Sequence, residues 1–307
     1  MFILILSALI KGFPGQDFFT CSESLLGKWA GKCIVTLVVI FYTITNSFAL
    51  RDFADLINDF MLPHTPTAVI IAATLLSISY ILFQGVEVAG RIASLLLYII
   101  IVFVIFGFIG SISFFNLNNL QPVMEFGINR IVYGVIMQTS YFLTLATVCL
   151  NFVMSGSNKT HGTRPLFVSL FGAGLITVLI SIAVMGSLGE ETASRFVYKY
   201  YSLYRQIKIL GIDVNFELVF LTVWIFLFIP LLSLYQHTIV SGMARLAGLS
   251  DCKHLILPVG LLLFDFSLLF FNNRTEFNLF ATYIYPPLSI IFFSGLSLVL
   301  FLMYMLR

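Results

Sequence analysis

An all-α, polytopic membrane bundle is the fold class that this sequence predicts, and three observations predict it. Hydrophobic residues make up 60% of the 307 residues and charged residues only 10%. Mean hydropathy is +1.04. The apolar residues are also gathered into continuous runs, and a hydrocarbon core roughly 30 Å thick needs about 20 helical residues to cross. Lipid must solvate such a surface. Membrane strands are excluded because the runs are continuous rather than alternating over about ten residues. The chain reads as a single transmembrane permease-like domain over residues 1–307, with no room for a separate soluble domain.

The elements follow in order. Met1–Ile10 is apolar but half-length and ends in the turn Lys11-Gly12-Phe13-Pro14-Gly15, so it reads as a partial helix without the charged leader of a signal peptide. About eight full spans are expected, at 33–51, 66–84, 92–113, 130–153, 165–188, 216–241, 255–271 and 280–306. Pro63-His64-Thr65-Pro66 separates the first two, Ser155-Gly156-Ser157-Asn158 through Arg164-Pro165 the fourth and fifth, and Gly248-Leu249-Ser250-Asp251 precedes the seventh. In 189–215, Phe196, Tyr200, Leu203 and Ile207 fall on one helical face. That pattern predicts a helix lying in the interface. Pro230 and Pro286-Pro287 bend the sixth and last spans. Short-loop lysines and arginines gather on the side of Lys28, Lys32, Arg91, Arg245 and Arg307, which places that side and the C-terminus in the cytoplasm.

In an apolar solvent the polar side chains carry the information, because a mid-membrane charge costs about 2.5–3.5 kcal/mol on insertion scales. The fourth span holds the densest patch, Gln138, Thr139, Ser140, Tyr141, Thr144 and Thr147. Such a patch lines a locally broken helix at a midplane binding site, or its hydroxyls bond back to their own helix and pack on a neighbour. Thr43, Thr45 and Asn46 lie inside the first span, and Arg51 is four residues from Asp55, close enough to pair. Asp265 sits in the seventh span as a neutral acid or a proton or ion site. Glu217 and Trp224 lie in the sixth, with His237 at its inner end.

A net charge of +2 without basic patches gives no sign of a nucleic-acid partner. The four cysteines lack metal or redox spacing. No hydrolytic triad, metal cluster, phosphate-binding glycine loop or haem site is present, so neither an enzyme nor a cofactor is expected. Asn158-Lys159-Thr160 and Asn273-Arg274-Thr275 match the glycosylation pattern, which is common by chance.

Several segments resemble the spore germination permease family, the B subunits of GerA-type nutrient germinant receptors. They are Leu25-Leu26-Gly27-Lys28-Trp29 with Gly31-Lys32, Leu50-Arg51-Asp52-Phe53-Ala54 leading to Leu62-Pro63-x-Thr65-Pro66, and Gly85-Val86-Glu87-x-x-x-Arg91. Asn118-Asn119-Leu120-Gln121-Pro122-Val123, Glu217 with Trp224, and Tyr283-x-Tyr285-Pro286-Pro287 complete the series. The resemblance implies an amino acid-polyamine-organocation architecture of two inverted repeats. It also implies nutrient sensing, for an amino acid or similar small ligand, in the spore inner membrane together with A and C subunits. By position, 33–51, 130–153 and 216–241 stand for the third, sixth and eighth family helices, with the break at Ser140–Thr144. The ligand candidates on these three spans are Asn46, Gln138, Thr139, Ser140, Tyr141, Thr144, Glu217 and Trp224; Asp265, read from its own position in the seventh span, is the proton or ion candidate. The chain departs from the pattern in two ways. It begins within what resembles the second family helix, and it has Leu143 and Thr144 where members often carry a glycine and an acid. A secondary amino acid transporter and a shortened structural subunit without its own ligand are the other readings.

Overall fold

A computed structural model describes Gly12 and residues 18–121, 127–155, 164–196, 198–209, 212–213, 216–249, 251–271 and 273–306. The predicted partial helix at Met1–Ile10 and the Asn158 sequon lie outside these residues. The elements are α1 (Phe18–Leu26), α2 (Lys28–Phe60), α3 (Thr67–Gln84), α4 (Val86–Ser111), α5 (Ile128–Ser155), α6 (Arg164–Arg195) and α7 (Lys199–Arg205). A two-residue hairpin follows, β1 (Lys208–Ile209) with β2 (Ile212–Asp213), then α8 (Phe216–Ala247), α9 (Ile256–Leu269), α10 (Arg274–Leu279) and α11 (Tyr285–Met305). The protein is an all-α polytopic membrane protein. Among the described residues, seven helical stretches are long and apolar enough to cross a membrane.

The expected seventh span, 255–271, is shorter than its apolar run. α9 has 14 residues, or roughly 21 Å at 1.5 Å per residue, because a 3₁₀ turn takes Lys253–Leu255 and the helix stops at Leu269. The interfacial helix expected in 189–215 is also different. α6 runs on to Arg195 and α7 has only 7 residues. Leu203 and Ile207 are buried, whereas Phe196 and Tyr200 are exposed, so the four apolar residues do not form one face.

Two compact units divide the chain: Met1–Ala89 with Val132–Phe167 and Ile229–Arg307, and Gly90–Ile131 with Val168–Phe228. In the first, α2 packs against α1, α3 and α9, and α9 also against α3. Lipid tails are as apolar as leucine, so packing and buried hydrogen bonds, rather than exclusion from water, hold such helices together. Aromatic rings fill this unit's centre. Phe41 stacks on Phe292 with centroids 4.6 Å apart, and Phe48 stacks on Phe277 at 4.6 Å. Between α2 and α3, the amide of Asn58 clamps the proline-bounded turn by donating to the Leu62 and Thr65 carbonyls and accepting from the Thr67 hydroxyl. At the same end, Arg51 pairs with Asp55 at 3.1 Å, as their spacing predicts, and Arg274 pairs with Asp59 at 2.6 Å. Asn273 caps α10 by accepting from the Glu276 N–H.

The last span is built in pieces. α10 passes through a π turn, Phe280–Ile284, into α11, whose first turn holds Pro286 and Pro287. Pro286 has no N–H to give the Thr282 carbonyl four residues back. The Tyr133 hydroxyl of α5 donates to that carbonyl instead.

In the second unit, α6 bends at Gly189, whose φ of 72° and ψ of 163° are non-helical and suit a residue without Cβ. The bend ends the regular bonding of the preceding turn, and the Gly186 carbonyl finds new donors. The Asn116 N–H reaches it at 2.9 Å and the Asn119 side-chain amide at 2.8 Å. The Asn118-Asn119 motif thus serves a helix bend. α7 is anchored beside it: the Tyr204 hydroxyl donates to the Phe103 carbonyl at 2.8 Å, and its ring stacks on Phe220 at 4.2 Å.

Candidate functional site

A buried polar cluster within the first unit joins α2, α5 and α11. Tyr42, Thr45 and Asn46 come from α2, Ser140, Thr144 and Thr147 from α5, and Tyr285 from α11. All are buried, with Asn46 and Ser140 at 0% exposure. Their positions follow from helical spacing: 140, 144 and 147 recur at intervals of four and three, one face of α5, as do 42 and 46 on α2.

The hydrogen bonds form a directed chain. The Thr144 hydroxyl donates to the Ser140 carbonyl at 3.0 Å. Its one proton is then spent, so at its 2.9 Å contact with the Tyr285 hydroxyl it is the acceptor and Tyr285 the donor. The Tyr42 hydroxyl donates to the Thr144 carbonyl at 3.2 Å. Tyr141 lies 5.5 Å from Tyr285 and Tyr235 lies 5.7 Å from Tyr42, ring centre to ring centre. Thr144 therefore ties three helices through one residue.

α5 is continuous from Ile128 to Ser155, so Ser140–Thr144 is not a break. The hydroxyls are satisfied by their own helix: Ser140 donates to the Met137 carbonyl and Thr147 to the Leu143 carbonyl. An unbroken helix cannot aim the four consecutive residues Gln138 to Tyr141 one way. Gln138 and Thr139 are exposed, away from the buried face that holds Ser140 and Thr144. Asp265 is likewise exposed, on α9.

Glu217 and Trp224 belong to the second unit. Glu217 is buried in the first turn of α8, where the helix dipole favours a carboxylate. Trp224 lies two turns on, its ring 4.7 Å from that of Phe228.

The Thr45 hydroxyl has no hydrogen-bond partner among the described residues, and Asn46 goes further. Neither its amide nitrogen nor its amide oxygen has a hydrogen-bond partner among the described residues, and the neighbouring Ser47 hydroxyl has none either. Burying an unbonded amide costs roughly 1–3 kcal/mol by mutational data. An amide that can donate and accept, one helical turn from Tyr42, suits a small zwitterionic or polar ligand. Among the described residues, no group of three or more His, Cys, Asp or Glu is placed to hold a metal ion.

Sequence reasoning missed Tyr42 and Tyr285. A tyrosine among apolar residues reads as packing, and only the Tyr283-x-Tyr285-Pro286-Pro287 motif marked the second.

Comparison with known proteins agrees with the resemblance. Residues 1–276 match the profile of the family described as spore germination protein, a spore permease family rather than one of enzymes. Spore germination protein A2 of Bacillus subtilis is 27% identical over 272 residues, which cover 87% of this chain and 73% of that protein. Spore germination protein YndE of the same organism is 24% identical over 268 residues, 83% of this chain and 71% of its own. Spore germination protein GerQB of Bacillus cereus is 24% identical over 268 residues, with 87% and 73% covered.

Proposed function

Given that this chain belongs to the spore germination permease family, we propose that it is a B-type subunit of a germinant receptor. It binds a small nutrient, of the amino acid class, and acts by binding rather than by catalysis. Its place is then the spore inner membrane of an endospore-forming bacterium, in complex with A and C subunits.

The observation that carries this reading is Asn46, a fully buried amide with both polar atoms unpartnered among the described residues. A ligand's ammonium and carboxylate groups supply the acceptor's donor and the donor's acceptor that the side chain lacks. The Tyr42–Thr144–Tyr285 chain beside it links α2, α5 and α11. A ligand that pulls on α2 therefore shifts helices on which partner subunits can sense the change, since a ligand moves an equilibrium only through differential contacts with its two states.

The test is disruption of the gene in its spore former, followed by germination assays on single nutrients. Loss of the response to one nutrient, with others intact, is the expected result. Unchanged germination on every nutrient, in a strain without related receptors, contradicts the reading. Uptake of labelled amino acid by proteoliposomes holding the purified chain would instead identify a transporter.

A further inference from the structure

A basic cleft opens where α2 begins and α8 ends, both within the first unit. Its volume is about 840 Å³, and its lining includes Thr20, Glu23, Ser24, Lys28, Lys32 and Arg245. That volume lies within the roughly 300–1,000 Å³ of small-molecule sites.

Charge is arranged there for an anion. Glu23, which pairs with Arg245 at 2.8 Å and also feels the charges of Lys28 and Lys32, is the one carboxylate among the lining residues against three cations. The two lysines stand four residues apart and share a face of α2, where like charges repel. They also stand at the positive end of a 33-residue helix whose N-cap, Gly27, makes no side-chain capping bond and whose first turn has no acid. An anion in the cleft relieves both repulsions.

The depth of the cleft identifies the anion. Trp29, next to Lys28, is 83% exposed, and tryptophans so placed sit at headgroup level. The apolar run of α2 starts just beyond, at Cys33. The cleft therefore faces the headgroup layer. Its hydroxyls matter too. Ser24 donates to the Cys21 carbonyl and Ser241, also in the lining, to the Thr238 carbonyl, so each hydroxyl has spent its proton and can only accept from a ligand. We propose that this cleft binds the phosphate of an acidic phospholipid with a hydroxylated headgroup. Lys28 and Lys32 take the phosphate, and the serine oxygens accept from the headgroup hydroxyls.

Native mass spectrometry of the full-length chain in detergent, titrated with phosphatidylglycerol, tests this. The wild-type chain should hold one tightly bound phosphatidylglycerol in preference to phosphatidylcholine. K28Q/K32Q, which alters only side chains at the cleft's surface, should bind it about tenfold more weakly, and more so at low salt. E23Q removes the competing carboxylate and should bind at least as tightly as wild type. Equal binding by K28Q/K32Q and wild type, or equal occupancy by phosphatidylcholine, overturns the proposal. Displacement of the lipid by millimolar inorganic phosphate overturns the lipid assignment and makes the cleft a soluble-phosphate site.

Discussion

Thr144 and Asn46 are both polar residues buried in a lipid-embedded bundle, yet their energetics differ. Thr144 donates to its own helix and accepts from Tyr285, so every contact it needs is made inside the protein. Buried interhelical hydrogen bonds in membranes average about 0.6 kcal/mol and reach about 1.7. Tyr285→Phe removes that donor while keeping the ring, and should lower stability within that range in thermal unfolding of the solubilised protein. Thr144→Val should cost a similar amount, and the double variant should cost less than the two together, because both remove one bond. Asn46 behaves in the opposite sense. Its amide, unpartnered among the described residues, is a burden in the ligand-free protein, so Asn46→Leu should leave the unfolding temperature unchanged or raise it. A fall as large as that of Tyr285→Phe would show that Asn46 already has a structural partner.

At the level of helices, the bend in α6 makes a separate prediction. Gly189 opens the helix, and Asn119 bonds the freed Gly186 carbonyl. Asn119→Ala leaves that carbonyl with one donor, Asn116 N–H, and should cost roughly 1 kcal/mol. The loss should be local: hydrogen exchange should quicken around the α6 bend while α2 keeps its protection. The other end of α8 shows the same economy of bonding. Gly248, at φ 70°, lets Leu249 N–H reach the Ala244 carbonyl at 2.9 Å and its own N–H reach the Arg245 carbonyl, a Schellman closure. These elements were partly legible beforehand. Lipid demands long apolar runs, and so most spans could be located from hydropathy alone. Hydropathy could not locate the stop at Leu269, because Phe270 and Phe271 continue the apolar run past the helix end. Nor could it decide Ser140–Thr144, where polarity fits a break and a back-bonded helix equally well. The continuous helix shows the second. Tyr285 went unread as a site residue because a phenol is mostly ring, and its hydroxyl matters only once Thr144 is opposite.

Across the whole molecule, the Glu23–Arg245 pair joins α1 to the end of α8 over 222 residues of sequence. The Arg245 hydrogen bond holds the Glu23 carboxyl below its ordinary value of 4.5, against a smaller opposing effect of burial. A carboxyl depressed in the folded state contributes stability above its unfolded value. That contribution fades as pH falls through the folded one. Acidifying the protein below about pH 4.5 should therefore narrow the difference in unfolding temperature between the wild type and E23Q, and a constant difference across that range would show that the pair contributes nothing. The polar cluster, by contrast, holds hydroxyls and an amide that keep one charge state, so nutrient recognition should not follow this acid transition. The measurement that bears most directly on the account is germination of spores carrying Asn46→Ala, followed by loss of optical density on single amino acids, with the variant present in the spore membrane at the wild-type level. The account predicts that these spores stop answering a nutrient that wild-type spores answer, while unrelated nutrients still work. Germination of Asn46→Ala spores at the wild-type rate on every nutrient, in a strain where deleting the gene abolishes one response, would contradict it.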